Sequence, residues 1–392
     1  MAASTLAARG RFNRADWIDL GWTSLLREGV RTADIAHLPP PAAAAAGRPD
    51  RATVAALFLS ALLLLCFSFA GLPSAQAACD SPRCFDVVVP VPSGIAVPDS
   101  TVRVLLPVDY GTTAKRYPVL YLLHGAGDTY ATWTENTDVE EFSAQFPLII
   151  VMPDGGHDAN AGFYSDWVDG SRQWETFHTQ VLRTYVERNF RTLASRRHRA
   201  LAGLSMGGFG AMSYAGRHPD LYGAAASFSG AVDILYPTPA GDVLFFSGTV
   251  GSGIWGDPVS DEAIWRAHNP PDLVGKLRST ALFLATGDGT MGGPAGDIPV
   301  PAAYAIEQVV DQMTLSFARA LDSAGVPYAK DFYKGGYHGW PYWERELHWS
   351  LPQIVSLIGP ATTPCAPRLS NPGAPATGPL GSSSCRRLAR RS

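Results

Sequence analysis

The chain has 392 residues and 46% hydrophobic composition, enough apolar material for a large core. That is long for one domain, although α/β folds run past about 250 residues as a unit. A formal net charge of −4, with no basic excess, gives nucleic-acid binding no electrostatic support.

Residues 1–47 hold a Pro-Pro-Pro and alanine-rich stretch without an enzyme-like pattern. Arg48 and Arg51 then precede an apolar run from Val54 to Ala70, closed by Gly71-Leu72-Pro73 and Ser74-Ala75-Gln76-Ala77-Ala78. A basic flank, an apolar centre and a small-residue site read as an export signal cut after Ala77. A membrane anchor is the alternative, because the run approaches the roughly 20 residues that a bilayer requires. The predicted organisation is an extension plus signal over 1–77, a folded domain over 78–360, and a tail over 361–392. The tail is rich in Pro, Gly and Ser and ends in Arg386-Arg387-Leu388-Ala389-Arg390-Arg391-Ser392. Its composition predicts disorder, and its arginines could touch an anionic envelope surface or simply be solvated.

Between the ends, strand-like and helix-like segments alternate. Strands are predicted at Phe85–Val91, Thr101–Leu106, Val119–Leu123, Leu148–Met152, Ala200–Leu204, Ala224–Phe228, Ala281–Ala285 and Tyr328–Tyr333. Helices are predicted at Trp174–Phe190, Gly208–Arg217, Ala303–Ala324 and Tyr342–Ile358. This alternation predicts an α/β fold, a mostly parallel sheet with helices on both faces. The Gly-, Pro- and Trp-rich stretch Ile234–His268 is expected to be an insertion lining the site mouth, or else a surface loop.

The most informative run is Leu201-Ala202-Gly203-Leu204-Ser205-Met206-Gly207-Gly208. It holds Gly-x-Ser-x-Gly between a predicted strand and a predicted helix. In that context the serine occupies a strained turn with its hydroxyl exposed, and the glycines are there because a Cβ would collide with the neighbouring elements. A serine hydroxyl needs a base to take its proton and an acid to orient that base. Four histidines follow Ser205. His218 ends a helix, His268 precedes a Pro-Pro pair, and His348 lies on a helix. His338 sits in a loop after the last predicted strand, where this architecture presents its base. Two acids precede it. Asp288 follows the penultimate strand and also reads as a turn aspartate between glycines. Glu307 lies 31 residues before His338 and also reads as a solvated helix residue. An oxyanion hole needs two backbone amides. Met206 supplies one, and Ala126, in the loop His124-Gly125-Ala126-Gly127-Asp128, is the candidate for the other.

These residues resemble the esterase family of α/β-hydrolases that includes the mycobacterial antigen 85 mycolyltransferases and S-formylglutathione hydrolases. The resemblance runs from about Phe85 to Leu357. It is carried by Phe163-Tyr164-Ser165-Asp166-Trp167, Trp174-Glu175-Thr176-Phe177, Gly203-Leu204-Ser205-Met206, Gly287-Asp288-Gly289-Thr290 and His338-Gly339-Trp340-Pro341-Tyr342-Trp343. It implies an α/β-hydrolase fold and Glu307 as the acid, with Asp288 as the alternative, because the position matching Asp288 is typically an amide in the antigen 85 pattern. That pattern also has an aspartate and an arginine for trehalose where this chain has His124 and Gly127. The resemblance therefore implies ester chemistry with a different acceptor. His124 and Trp340 are the candidate substrate-binding residues; Trp167, Trp174, Tyr342 and Trp343 line a pocket or fill the core.

The expected protein is an exported serine esterase or acyltransferase acting on a small-molecule, lipid or glycolipid ester. The alternatives are acyl transfer to a sugar, or a non-catalytic envelope-binding protein on the same fold. Cys66 lies in the signal. Cys79, Cys84, Cys365 and Cys385 allow three pairings; proximity favours Cys79–Cys84 and Cys365–Cys385, with free thiols as the other case. No cysteine shows metal spacing with histidine, so neither a metal nor a cofactor is expected.

Overall fold

The computed structural model describes residues 79, 81–157, 161–236 and 251–360, with the backbone alone at 251 and 252. The expected extension, signal or anchor, the tail and the Cys365–Cys385 pairing lie outside the described residues. Among the described residues, no helix is long and apolar enough to cross a membrane.

Eight strands form one sheet: β1 (Cys84–Val88), β2 (Thr101–Leu105), β3 (Val119–Leu123), β4 (Ile149–Pro153), β5 (Arg199–Leu204), β6 (Ala224–Phe228), β7 (Ala281–Gly287) and β8 (Tyr328–Tyr333). Their order is β1-β2-β4-β3-β5-β6-β7-β8. The pairings that involve β2 are antiparallel, and those from β4 across to β8 are parallel. This is the mostly parallel α/β-hydrolase sheet expected. β1 stops at Val88 rather than Val91, because Pro90 has no N–H to extend a ladder.

A sheet covered on both faces needs apolar residues at consecutive positions. β3 and β4 are buried along their whole length. Their side chains still alternate between two cores. Val119, Tyr121, Leu123, Ile149 and Val151 join the core beneath the helices Met206–Arg217 and Pro301–Ala324. Leu120, Leu122, Ile150 and Met152 join the core beneath the helix Trp340–Ile358, with Trp133 and Val139 from two short helices. Those helices, Thr132–Asn136 and Val139–Ser143, are too short to show a period in sequence. The predicted helix Trp174–Phe190 is three consecutive segments, Trp174–Thr176, a π-helical turn Phe177–Leu182, and Arg183–Asn189.

A disulfide joins Cys79 to Cys84, with Cα atoms 5.0 Å apart. Of the Ile234–His268 insertion, residues 237–250 lie outside the described residues. Its helices Gly251–Trp255 and Glu262–His268 are anchored by Trp255 and Trp265, both fully buried with ring centroids 4.9 Å apart. Trp255 packs edge-on against Phe209 of the helix that follows Ser205. This part of the insertion is core, which corrects the surface-loop reading of it.

Candidate active site

Parallel strands end at one edge of a sheet, and the register fixes which ends meet. Leu204 pairs with Phe228, Phe228 with Ala285, and Gly287 with Tyr333. Ser205, Ser229, Thr286 and the loop after Tyr333 are therefore neighbours.

Ser205 has φ 52° and ψ −117°, a left-handed conformation that side chains rarely adopt. Its N–H donates to Phe228 O at 2.9 Å and its carbonyl accepts from Ala231 N at 3.2 Å, so the next strand holds the turn. The glycines are sterically required. A Cβ on Gly203 would meet Gly207 O at 2.4 Å, and one on Gly207 would meet Leu123 O at 2.5 Å. The helix starts at Met206, two residues earlier than predicted, so the amides of Met206 and Gly207 head it without i−4 carbonyls.

His338 follows β8, and its Nε2 lies 2.9 Å from Ser205 Oγ. Its Nδ1 lies 2.9 Å from Glu307 Oε2. A carboxylate only accepts, so Nδ1 carries the proton and Nε2 accepts from the serine hydroxyl. Glu307 is fully buried on the Pro301–Ala324 helix. Its Oε1 accepts from Ser229 Oγ at 2.7 Å, Gly287 N at 2.9 Å and Thr286 Oγ1 at 3.3 Å. Ser229 and Thr286 have no counterpart among the sequence-derived candidates. The signal for them was their place at strand ends; Ser229 also has φ 45°, an uncommon conformation for serine.

Asp288 is not in this line. Its Oδ1 accepts from Thr290 N at 3.0 Å, Thr290 Oγ1 at 2.6 Å and Gly335 N at 2.8 Å. It ties the turn after β7 to the loop that carries His338.

A Cβ on Gly125 would lie 3.5 Å from Ser205 Cβ, so the loop of Ala126 runs beside the serine. Ala126 is exposed and Met206 is buried. The Asp128 carboxylate accepts from Gly125 N at 3.1 Å across this loop, and burial lifts its pKa to about 7. The His124 ring is engaged within the fold. Its side chain is buried, its Nδ1–H donates to Gly125 O at 2.7 Å and its Nε2 accepts from Gly155 N at 2.8 Å. Both ring nitrogens are thus used internally, and burial holds the imidazole pKa below its ordinary value. Tyr164 OH donates to His124 O at 3.0 Å, fixing the same loop from the other side.

Trp340 is half-buried at the start of the last helix, edge-on to Trp133 at 5.3 Å and Trp343 at 5.2 Å. Trp343 meets the His338 ring edge-on at 5.0 Å. Trp174 and Tyr342 are fully buried core residues, while Trp167 is partly buried and packs against the core.

A second carboxyl, Glu346, is fully buried near Glu307. Its Oε1 accepts from Tyr333 OH at 2.6 Å. Burial, then the charge of Glu307, raises its pKa well above the carboxylate range. A raised folded-state pKa costs stability as pH climbs from the unfolded value, about 4.3, toward the folded one. Glu346→Gln keeps an acceptor for Tyr333 and removes this titration. The variant is therefore expected to gain stability relative to wild type as pH rises from 4 to 8. Denaturant unfolding at both pH values checks this; a difference independent of pH would contradict it.

The family model described as "Putative esterase" matches residues 96–354. An esterase of Mycobacterium tuberculosis is 36% identical over 276 residues, covering 67% of this chain and 57% of its own length. The chain thus spans little more than half of that relative. The diacylglycerol acyltransferase/mycolyltransferase Ag85B of Mycobacterium avium is 32% identical over 287 residues, covering 68% of this chain and 83% of its own. Among solved structures, a ferulic acid esterase aligns with TM-score 0.52 and 28% identity, over 66% of this chain and 92% of that one. MPT51 (FbpC1) of Mycobacterium tuberculosis shares the fold with TM-score 0.55 at 24% identity, over 71% of this chain and 100% of its own.

Proposed function

This chain belongs to the esterase family, and on that premise we propose that it is a serine esterase or acyltransferase working through an acyl-enzyme on Ser205. The observation that carries the reading is the hydrogen-bonded line Ser205–His338–Glu307, with both links at 2.9 Å. Ser205 Oγ attacks the ester carbonyl as His338 Nε2 takes its proton, and Glu307 stabilises the imidazolium that forms. The amides of Met206 and Ala126 receive the negative charge on the carbonyl oxygen. His338 returns the proton to the departing alkoxide. Water or an alcohol, deprotonated by His338 in turn, then releases the acyl group. The substrate class is a small-molecule, lipid or glycolipid carboxylic ester. We place the enzyme outside the cytoplasm, at the cell envelope. The Arg48–Ala78 pattern and the Cys79–Cys84 disulfide support that placement. Hydrolysis of a p-nitrophenyl ester by the chain, blocked by a fluorophosphonate, tests the activity. No turnover would favour a binding role on the same fold, and turnover that the fluorophosphonate leaves unblocked would exclude the serine acyl-enzyme.

Transfer of an acyl chain to a sugar is the second reading, favoured by the likeness to Ag85B. Trehalose is expected to be a poor acceptor here. Sugar hydroxyls are held against water by polar partners, and His124 has none to spare while Gly127 has no side chain. Measuring transfer from an acyl-trehalose donor checks this; transfer to free trehalose outpacing hydrolysis would overturn it.

A further inference from the structure

The opposite edge of the sheet, where the parallel strands begin, carries charge that the net value of −4 conceals. Arg116 precedes β3, Arg196 and Arg197 precede β5, Lys276 and Arg278 precede β7, and Arg188 stands at the C-terminal end of the Arg183–Asn189 helix. Five of these six are exposed and Arg196 is half-buried. Among the described residues none of the six is in an ion pair. Arg116 donates to Thr192 O at 3.2 Å, and Arg196 donates to Pro219 O, Ser279 O and Thr280 Oγ1 at 2.6, 2.8 and 3.2 Å. Neutral oxygens therefore fix these guanidinium groups without cancelling their charge. The exposed acids near this edge are Glu141, Asp220 and Asp322, while Asp109, Glu140, Glu187 and Asp272 are already bound to Lys115, to Arg83, to Arg183 and Arg199, and to Arg266.

Beside these cations lies an apolar groove of about 690 Å³ between the start of β7, the start of β8 and the last helix. Leu282, Phe283, Pro327, Pro352 and Leu357 line it. Leu357 is 50% exposed. Thr280, the residue that Arg196 holds, lines the groove as well, so fixed positive charge stands at its lip.

We propose that this edge docks the protein on an anionic lipid bilayer, with the arginines and lysine on the headgroups and the groove on an acyl chain. A soluble polyanion satisfies the charge but leaves the groove and Leu357 in water; a lipid satisfies both. The proposal is independent of the esterase reading.

Co-sedimentation of the full chain with phosphatidylcholine vesicles, with and without 30% phosphatidylglycerol, tests it. The expected result is salt-sensitive binding to the anionic vesicles alone. One cation near such a surface is worth roughly five-fold in affinity. Reversing Arg197, Lys276 and Arg278 to glutamate is therefore expected to lower the partition coefficient by about 100-fold or more. Leu357→Asp is expected to lower it by about 10-fold, as a buried contact is lost. Hydrolysis of a soluble p-nitrophenyl ester should stay at the wild-type rate in both variants, since neither touches the proposed catalytic line. If the triple reversal fails to fold, Arg197→Gln with Arg278→Gln repeats the test with a smaller loss. Equal binding to neutral vesicles, no binding to anionic ones, or an unchanged partition coefficient in the variants would overturn the proposal. So would release by inorganic phosphate at an ionic strength where sodium chloride has no effect.

Discussion

Ser205→Ala is expected to lower kcat on a short p-nitrophenyl ester by roughly 10⁴- to 10⁶-fold and to leave the fold intact. The loss follows from removing the hydroxyl that His338 Nε2 addresses, the proposed nucleophile. The fold should survive because the turn is held by backbone bonds, Ser205 N to Phe228 O and Ala231 N to Ser205 O, which alanine keeps. Whatever residual rate remains above water belongs to the backbone amides and to substrate binding. Steady-state kinetics beside a thermal melt decide the matter. More than about a tenth of wild-type kcat in a folded variant would remove Ser205 from the mechanism.

Glu307→Gln is expected to cost about four orders of magnitude in kcat, and Asp288→Asn less than about ten-fold. An amide at 307 can present its NH₂ to His338 and leave the imidazole in the wrong tautomer. It can instead turn that NH₂ inward, where it opposes the Gly287 N–H, a donor that cannot accept. An asparagine at 288 keeps an oxygen for Thr290 and Gly335, so the loop that carries His338 stays tied. Both variants are assayed on one ester at pH 7, with circular dichroism as the check on folding. A severe loss in Asp288→Asn with a mild one in Glu307→Gln would transfer the role. Mild losses in both would dissolve the proposed triad.

These two acids mark where sequence reasoning reached its limit. Ser205 and His338 stand out in the chain because local chemistry singles them out: glycines flanking a serine at a strand–helix junction, and a histidine in the loop after the last strand. Glu307 looks like any helix glutamate until the helix is laid against β6 and β7. Only tertiary packing makes it buried and Asp288 peripheral, and the resemblance to known esterases, rather than spacing, favoured it. His124 shows the converse. A polar residue at the end of a central strand is placed like a ligand contact, but Gly155, far along the chain, takes up its ring. Ser229 and Thr286 carry one hydroxyl each, and nothing local separates them from other strand-end hydroxyls. Strands β3 to β7 were legible because a buried parallel strand is a short apolar run between turn residues. The π-helical turn at Phe177–Leu182 was not, because an i→i+5 bond leaves no repeat in the sequence.

The common direction of β3 to β8 has a mechanical consequence. The sheet is an arrow, with the serine at its head and the unpaired cations at its tail. The two are separated by the length of a strand, five to seven residues at about 3.3 Å each, or roughly 20 Å. A molecule resting on its tail holds its nucleophile well above the headgroups, turned away from the leaflet beneath. Esters buried in that leaflet lie out of reach, and the molecule can cleave only what arrives from the opposite side. Adhesion then sets where the chemistry happens and how many catalysts gather there, without entering the rate at which any one of them turns over.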